Sequence, residues 1–196
     1  MLGFVFGYGT LADPDDWLLR RYPGDFPDTV YLAVDGYRRH WDLAADNSAA
    51  RHDHKYHVDA ATGERPDIYV AALGLEREAG CSCNGVAIPV DAERLAWFDK
   101  REGLLYDRIV VEGERISESL GGTLWTYFPK DSALAAFEEG LREGKAFAPR
   151  YYVESVPAAF AARGEEALAA YRASTREPRC PVRDLDLVRA AGDAGI

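Results

Sequence analysis

Glu102 closes the tetrapeptide Asp99-Lys100-Arg101-Glu102 on a stretch that also carries Leu95, Trp97 and Phe98. On a helix, Leu95, Phe98 and Glu102 share a face by i, i+3, i+4 geometry, so the carboxylate points the same way as apolar residues. Partial desolvation of such a group disfavours its charged form and raises its pKa, which suits proton transfer near neutral pH. The same residues also fit a charged helix end standing in water. A second candidate is Tyr8-Gly9-Thr10-Leu11, where an apolar run ends in glycine. Successive amides at such a turn can cradle an anion such as a carboxylate, and the turn also fits a plain strand-to-helix junction. His52, His54 and His57, with Cys81 and Cys83, invite a zinc site, but their spacing matches no strong ligand pattern and no metal is expected. Cys83 beside Asn84 and Gly85 reads as a small core residue rather than a nucleophile. Gly-x-Ser-x-Gly, the P-loop and Gly-x-Gly-x-x-Gly are all absent.

The elements that must position these residues are legible in outline. Residues 2–8 read as a buried strand running into the glycine turn, and Asp13-Pro14 opens a helix down to about Tyr22. Residues 29–34 and 36–43 are one long bent strand or two in sequence, with Gly36 at a bulge. Residues 44–67 are polar and aperiodic, and read as a long loop or flap. Strands are expected at 68–75 and 83–90 with a turn over 76–80, then a helix capped by Asp91 and ending near Gly103, then strands at 106–111 and 123–128. Helices follow at 132–142, 153–162 and 164–173, and the tail 175–196 is expected to pack loosely. Early strands, one inserted helix and late helices make an α+β order: a small mixed β-barrel with peripheral helices. The expected organisation is one domain over 1–150, with 151–196 a C-terminal helical extension packed on it.

Four short stretches occur in sequence: Phe6-Gly7-Tyr8-Gly9-Thr10-Leu11, Gly36-Tyr37-Arg38-Arg39, Cys83-Asn84-Gly85-Val86-Ala87, and Asp99-Lys100-Arg101-Glu102 followed by Tyr106-Asp107-Arg108. In order and spacing they resemble the γ-glutamylcyclotransferase superfamily, in its ChaC-like and AIG2-like branch, over about residues 1–128, and the second and third stretches resemble the glutathione-degrading ChaC-like members most. The resemblance implies a pocket for a γ-glutamyl group and release of 5-oxoproline with a free amine, without a cofactor. It implies that Tyr8, Gly9, Thr10 and Leu11 grip the glutamyl α-carboxylate and that Glu102 is the catalytic acid/base. Tyr106 and Tyr127 are candidate pocket hydroxyls. Thr10 stands where the family more often has serine. The segments 44–67 and beyond 145 have no clear family counterpart, and either could rebuild the end of the pocket that receives the leaving amine.

Composition narrows the partners. The 196 residues are 47% hydrophobic and 29% charged, in the range of folded globular proteins. A formal net charge of −10 repels phosphate backbones and anionic lipid surfaces, so neither nucleic acid nor membrane is expected as a partner. The start of the chain is too short and too glycine-broken for a spanning helix or signal, and three cysteines suit a reducing compartment, which together indicate the cytoplasm. The expected partner is a small γ-glutamyl compound, and sequence is silent on oligomeric state. A non-catalytic binding or regulatory module of the same fold is the alternative.

Overall fold

Two long strands organise the molecule, a computed structural model that describes residues 2–12, 29–48 and 55–189. Strand β2 (Val30–Asp46) pairs antiparallel with β4 (Tyr69–Val90) along most of its length. The register shifts between Asp35 and Tyr37, where Gly36 takes φ +80°, a backbone region that costs glycine little. This is the expected bulge, and 29–43 forms one strand rather than two.

Strand β1 (Gly3–Gly7) is wholly buried because it lies inside the sheet. It runs antiparallel to the last residues of β4 and parallel to β6 (Thr123–Pro129), which pairs antiparallel with β5 (Tyr106–Val111). On the far side β4 starts beside β7 (Ala146–Pro149), and β7 pairs with β8 (Val182–Arg183). Beyond β5 the chain returns to β2 through a bridge between Val34 and Ile116, backed by Ser117 donating its amide to the Ala33 carbonyl at 3.0 Å. The mixed sheet therefore curls round on itself, joined there by one bridge instead of a ladder.

Helices α1 (Ala92–Glu102), α2 (Asp131–Arg142), α3 (Arg150–Ala161) and α4 (Glu165–Ala173) surround the sheet, giving the expected α+β class. Asp91 caps α1 by accepting from the Arg94 amide at 2.8 Å. Phe98 is fully buried from α1, and burying such a ring stabilises by roughly 2–3 kcal/mol, which ties down the last turn of the helix that carries Glu102.

Three expectations are corrected. Residues 76–80 do not end the strand: β4 continues through them, with Glu76 and Arg77 paired opposite Arg38 and Tyr37 of β2 and the ladder then bulging over 78–81, where Gly80 takes φ +80°, before Ser82 pairs with Asp35. The charges of that stretch meet partners, Arg38 with Glu78 at 2.9 Å and Arg176 with Glu76 at 2.8 Å. The segment 44–67 is not all loop: β2 extends to Asp46, and β3 (Lys55–Asp59) pairs antiparallel with β9 (Leu185–Arg189) as a separate ribbon. As far as Arg189, where the described residues end, the tail is not loose either, since Cys180 and Leu185 are buried and β8 and β9 are both strand-paired. The helix expected over 13–22, along with His52 and His54, lies outside the described residues.

Candidate active site

One cavity of about 250 Å³ collects the turn, acid/base and pocket-hydroxyl candidates: Tyr8, Gly9, Thr10, Leu11, Glu102, Tyr106 and Tyr127 all line it. The first four arrive where β1 ends and a short 3-10 turn (Thr10–Ala12) begins. Ala12 closes the turn by donating to the Gly9 carbonyl at 2.9 Å, which leaves the amides of Gly9, Thr10 and Leu11 without an acceptor among the described residues. Gly7 permits this sharp reversal, because a methyl there would sit 2.6 Å from Leu11 Cβ. Gly9 is needed for space, since a methyl on it would lie 3.1 Å from the Tyr152 hydroxyl.

Glu102 ends α1 with its side chain only 16% exposed. A carboxylate at a helix C-terminus opposes the helix dipole, which Lys100 and Arg101 suit better. The Arg101 guanidinium contacts Glu102 directly, so the carboxylate is not enclosed by apolar groups alone, as the helix face by itself implied. Lys130 donates to the Gly103 carbonyl and so supplies the end of the helix with a cation.

Four tyrosines crowd round this carboxylate. The Tyr8 hydroxyl donates to the Tyr127 carbonyl and that of Tyr106 to the Leu73 carbonyl, each at 2.8 Å. The Tyr127 hydroxyl donates to Asp99 at 2.8 Å, and Asp99 holds Arg108 at 2.7 Å, which links β5 and β6 to the turn of α1 just before Glu102. Tyr152, near the start of α3, is the fourth. Burial raises the pKa of all four, and the Glu102 charge pushes each in the same direction, so they stay neutral hydroxyls.

The other two stretches support the turn from behind. Arg39 is fully buried, and its Nε donates to the Tyr8 carbonyl at 2.8 Å. Its Nη1 donates to Ser174 Oγ at 2.8 Å, and Nη2 to the backbone and side-chain oxygens of Asn84. The rings of Phe160 and Tyr171 stack on each other with centroids 4.9 Å apart, and the guanidinium lies against both, 4.9 and 5.0 Å from their centroids. Cys83 is fully buried, and burial pushes its thiol up to about 11, which suits a core residue and not a nucleophile.

Sequence reasoning pointed to the segments 44–67 and beyond 145 but singled out none of the residues they bring to the cavity as pocket residues: Lys55, His57, Tyr151, Tyr152, Leu187 and Arg189. The adjacent tyrosines at the start of a helix were a usable signal, whereas the pairing of β3 with β9 left none. His57 bonds the Tyr151 hydroxyl through Nε2 at 3.0 Å. Burial, then Lys55 and Arg189, lower its pKa to about 4. Among the lining residues Lys55, Lys100, Arg101 and Arg189 outnumber Asp46 and Glu102, a local excess of positive charge in an acidic chain. Among the described residues no group of three or more His, Cys, Asp or Glu is placed to hold a metal, and no helix is long and apolar enough to cross a membrane.

No protein-family model matches the chain, and no curated protein matches it. Solved structures similar to it include a gamma-glutamyl cyclotransferase, at 14% identity and TM-score 0.41, covering 71% of this chain and 78% of the other. A yeast gamma-glutamyl cyclotransferase specific to glutathione is similar at 12% identity and TM-score 0.40, over 73% and 88% of the two chains. An uncharacterized protein from Homo sapiens is similar at 15% identity and TM-score 0.42, over 72% and 79%.

Proposed function

We propose that the protein is a γ-glutamylcyclotransferase that releases 5-oxoproline and an amine from a γ-glutamyl compound, with Glu102 as general acid/base. The observation that supports this is the convergence, on one cavity, of an amide-lined turn and a mostly buried carboxylate from stretches about 90 residues apart. The turn amides of Gly9, Thr10 and Leu11 suit an α-carboxylate, and the local excess of cations favours an anionic ligand. The α-ammonium must shed a proton before its nitrogen attacks the γ-carbonyl to close a five-membered ring. Glu102 accepts protons from that nitrogen and returns them to the departing amine. Nitrogen and carbonyl belong to one molecule, so holding it folded supplies much of the acceleration, roughly 7–11 kcal/mol for well-oriented intramolecular attack. Neutral tyrosine hydroxyls wall the site without competing for the proton. In this scheme Arg101 fixes the rotamer of Glu102, and Asp99 with Arg108 and Tyr127 fixes its helix turn.

The test is release of 5-oxoproline, followed by mass spectrometry, from a panel of γ-glutamyl amino acids, γ-glutamylamines and glutathione. Wild type releases it from at least one class, and Glu102→Gln, folded by circular dichroism, lowers the rate about a thousandfold, within the usual range for removing an acid/base. Undiminished turnover in Glu102→Gln removes the assigned role. Tight binding without turnover by wild type favours a non-catalytic binding module.

A further inference from the structure

Arg101 and Glu102 are neighbours on α1, and successive helix positions point about 100° apart, so such a pair does not ordinarily meet. Here the Arg101 guanidinium reaches round to contact Glu102, with only 9% of its side chain exposed. A cation in a last helical turn more often serves the open carbonyls there, and at this helix end Lys130 takes the Gly103 carbonyl instead. Arg101 and Glu102 both line the cavity, and each is the other's sole side-chain hydrogen-bond partner among the described residues. Their contact uses one nitrogen of a guanidinium that has five N–H donors, and one oxygen of the carboxylate. A fork of donors and a carboxylate oxygen are thus left side by side for a ligand. Tyr106 and Tyr152 both feel the charge of Arg101, and the Tyr152 hydroxyl lies 3.1 Å from a methyl placed on Gly9, which sets the cation on the side of the amide-lined turn.

We propose that the Arg101–Glu102 pair recognises the α-amino acid head of the substrate, Arg101 holding the α-carboxylate together with the turn amides while Glu102 faces the α-ammonium. The proposal rests on the cyclotransferase reading above and names the part of the substrate that Arg101 selects. An α-amino acid carries a cation and an anion on one carbon, and the protein meets it with an anion beside a cation. A planar guanidinium suits a carboxylate because two parallel N–H groups can bond its two oxygens. As Arg101 turns to the α-carboxylate it leaves Glu102 to the nitrogen whose proton that residue accepts. A ligand without the α-carboxylate leaves Arg101 on Glu102, so the base stays engaged. Selection therefore falls on 4-aminobutyryl amides, whose amino nitrogen could close the same five-membered ring and expel the same amine, leaving 2-pyrrolidinone.

The experiment pairs γ-glutamylalanine, γ-glutamylethylamide and glutathione each with its 4-aminobutyryl counterpart, in which hydrogen replaces the α-carboxylate. Release of the shared amine is followed by mass spectrometry in wild type, Arg101→Gln and Arg101→Lys, and a counterpart that is not turned over is measured as a competitive inhibitor. Arg101→Gln, folded by circular dichroism, is expected to raise KM for the γ-glutamyl compounds at least about tenfold, as for loss of a hydrogen-bonded charge. The KM or Ki of the 4-aminobutyryl counterparts is expected to change by less than about twofold. Arg101→Lys, which keeps the charge without the fork, falls between, and reads the same split should Arg101→Gln fail to fold. Changes equal on the two members of every pair show that Arg101 only positions Glu102, and overturn the proposal while leaving the cyclotransferase reading intact. Absence of amine release from every γ-glutamyl compound by wild type removes the reading, and the proposal with it.

Discussion

Replacing Arg39 by Met tests whether the turn bearing Gly9 is held from behind. Arg39 is fully buried and bonds no carboxylate among the described residues: its bonds go to the carbonyls of Tyr8 and Asn84, the Asn84 side chain and Ser174 Oγ, and it lies against the stacked rings of Phe160 and Tyr171. Methionine fills most of the volume but leaves the Tyr8 and Asn84 carbonyls short of a donor, at about 1–3 kcal/mol each. Loss of the contacts to Phe160 and Tyr171 adds about 1–2 kcal/mol per ring. Removing a buried charge returns part of this, because desolvation of the guanidinium is itself costly. The net loss is about 3 kcal/mol, which for a chain of this length lowers Tm by about 6–12 °C. Arg39→Lys keeps the charge but cannot span three acceptors in one plane, and falls between wild type and Met. Urea unfolding followed by tryptophan fluorescence measures the stability, and 5-oxoproline release under native conditions measures the displacement of Tyr8. A loss below about 1 kcal/mol with full activity would refute the reasoning, since the turn would then stand without the guanidinium.

Gly9→Ala places a methyl 3.1 Å from the Tyr152 hydroxyl and is expected to raise KM several-fold; adding Tyr152→Phe, which removes that oxygen, restores part of the loss in the same kinetic assay. Cys83, buried and with its thiol near 11, is expected to resist iodoacetamide at pH 8 in the native protein and to react once unfolded, as peptide mass mapping would report; rapid native labelling would contradict its core role. His57 ionises near 4 when folded and near its ordinary 6.5 when unfolded, so between those values the unfolded chain binds the extra proton. Stability from this group is full above pH 6.5, is lost as pH falls towards 4, and amounts to on the order of 2 kcal/mol after allowance for the ring's partial contact with solvent. Urea midpoints at pH 4.5 and 7.5 should therefore lie closer together in His57→Gln than in wild type, and an identical gap in both would argue against the buried neutral ring.

The residues around Glu102 were legible because local rules place them. Asp91 caps a helix whose apolar spacing buries Phe98, and that alone carries Glu102 inward. Apolar β1 ending in Gly7 likewise implies a buried strand and a sharp turn, and a net charge of −10 over 196 residues disfavours polyanionic partners without any coordinates. Sequence also marked Arg39 and Asn84 within two of its stretches, yet not that they bond each other beneath Tyr8, because 45 residues separate them and neither has a periodicity that names its partner. Tertiary pairing decided the rest. The polar stretch 76–80 reads as a turn until β2 pairs with its first two residues and Arg38 and Arg176 meet its carboxylates, leaving the rest as a bulge in one continuous strand. Lys55, His57 and Arg189 lie on strands 126 or more residues apart in sequence, each too short and too polar to signal itself. Only when β3 and β9 pair do they become one surface, because a strand's hydrogen bonds are made with whatever lies beside it and not with its own neighbours in the chain.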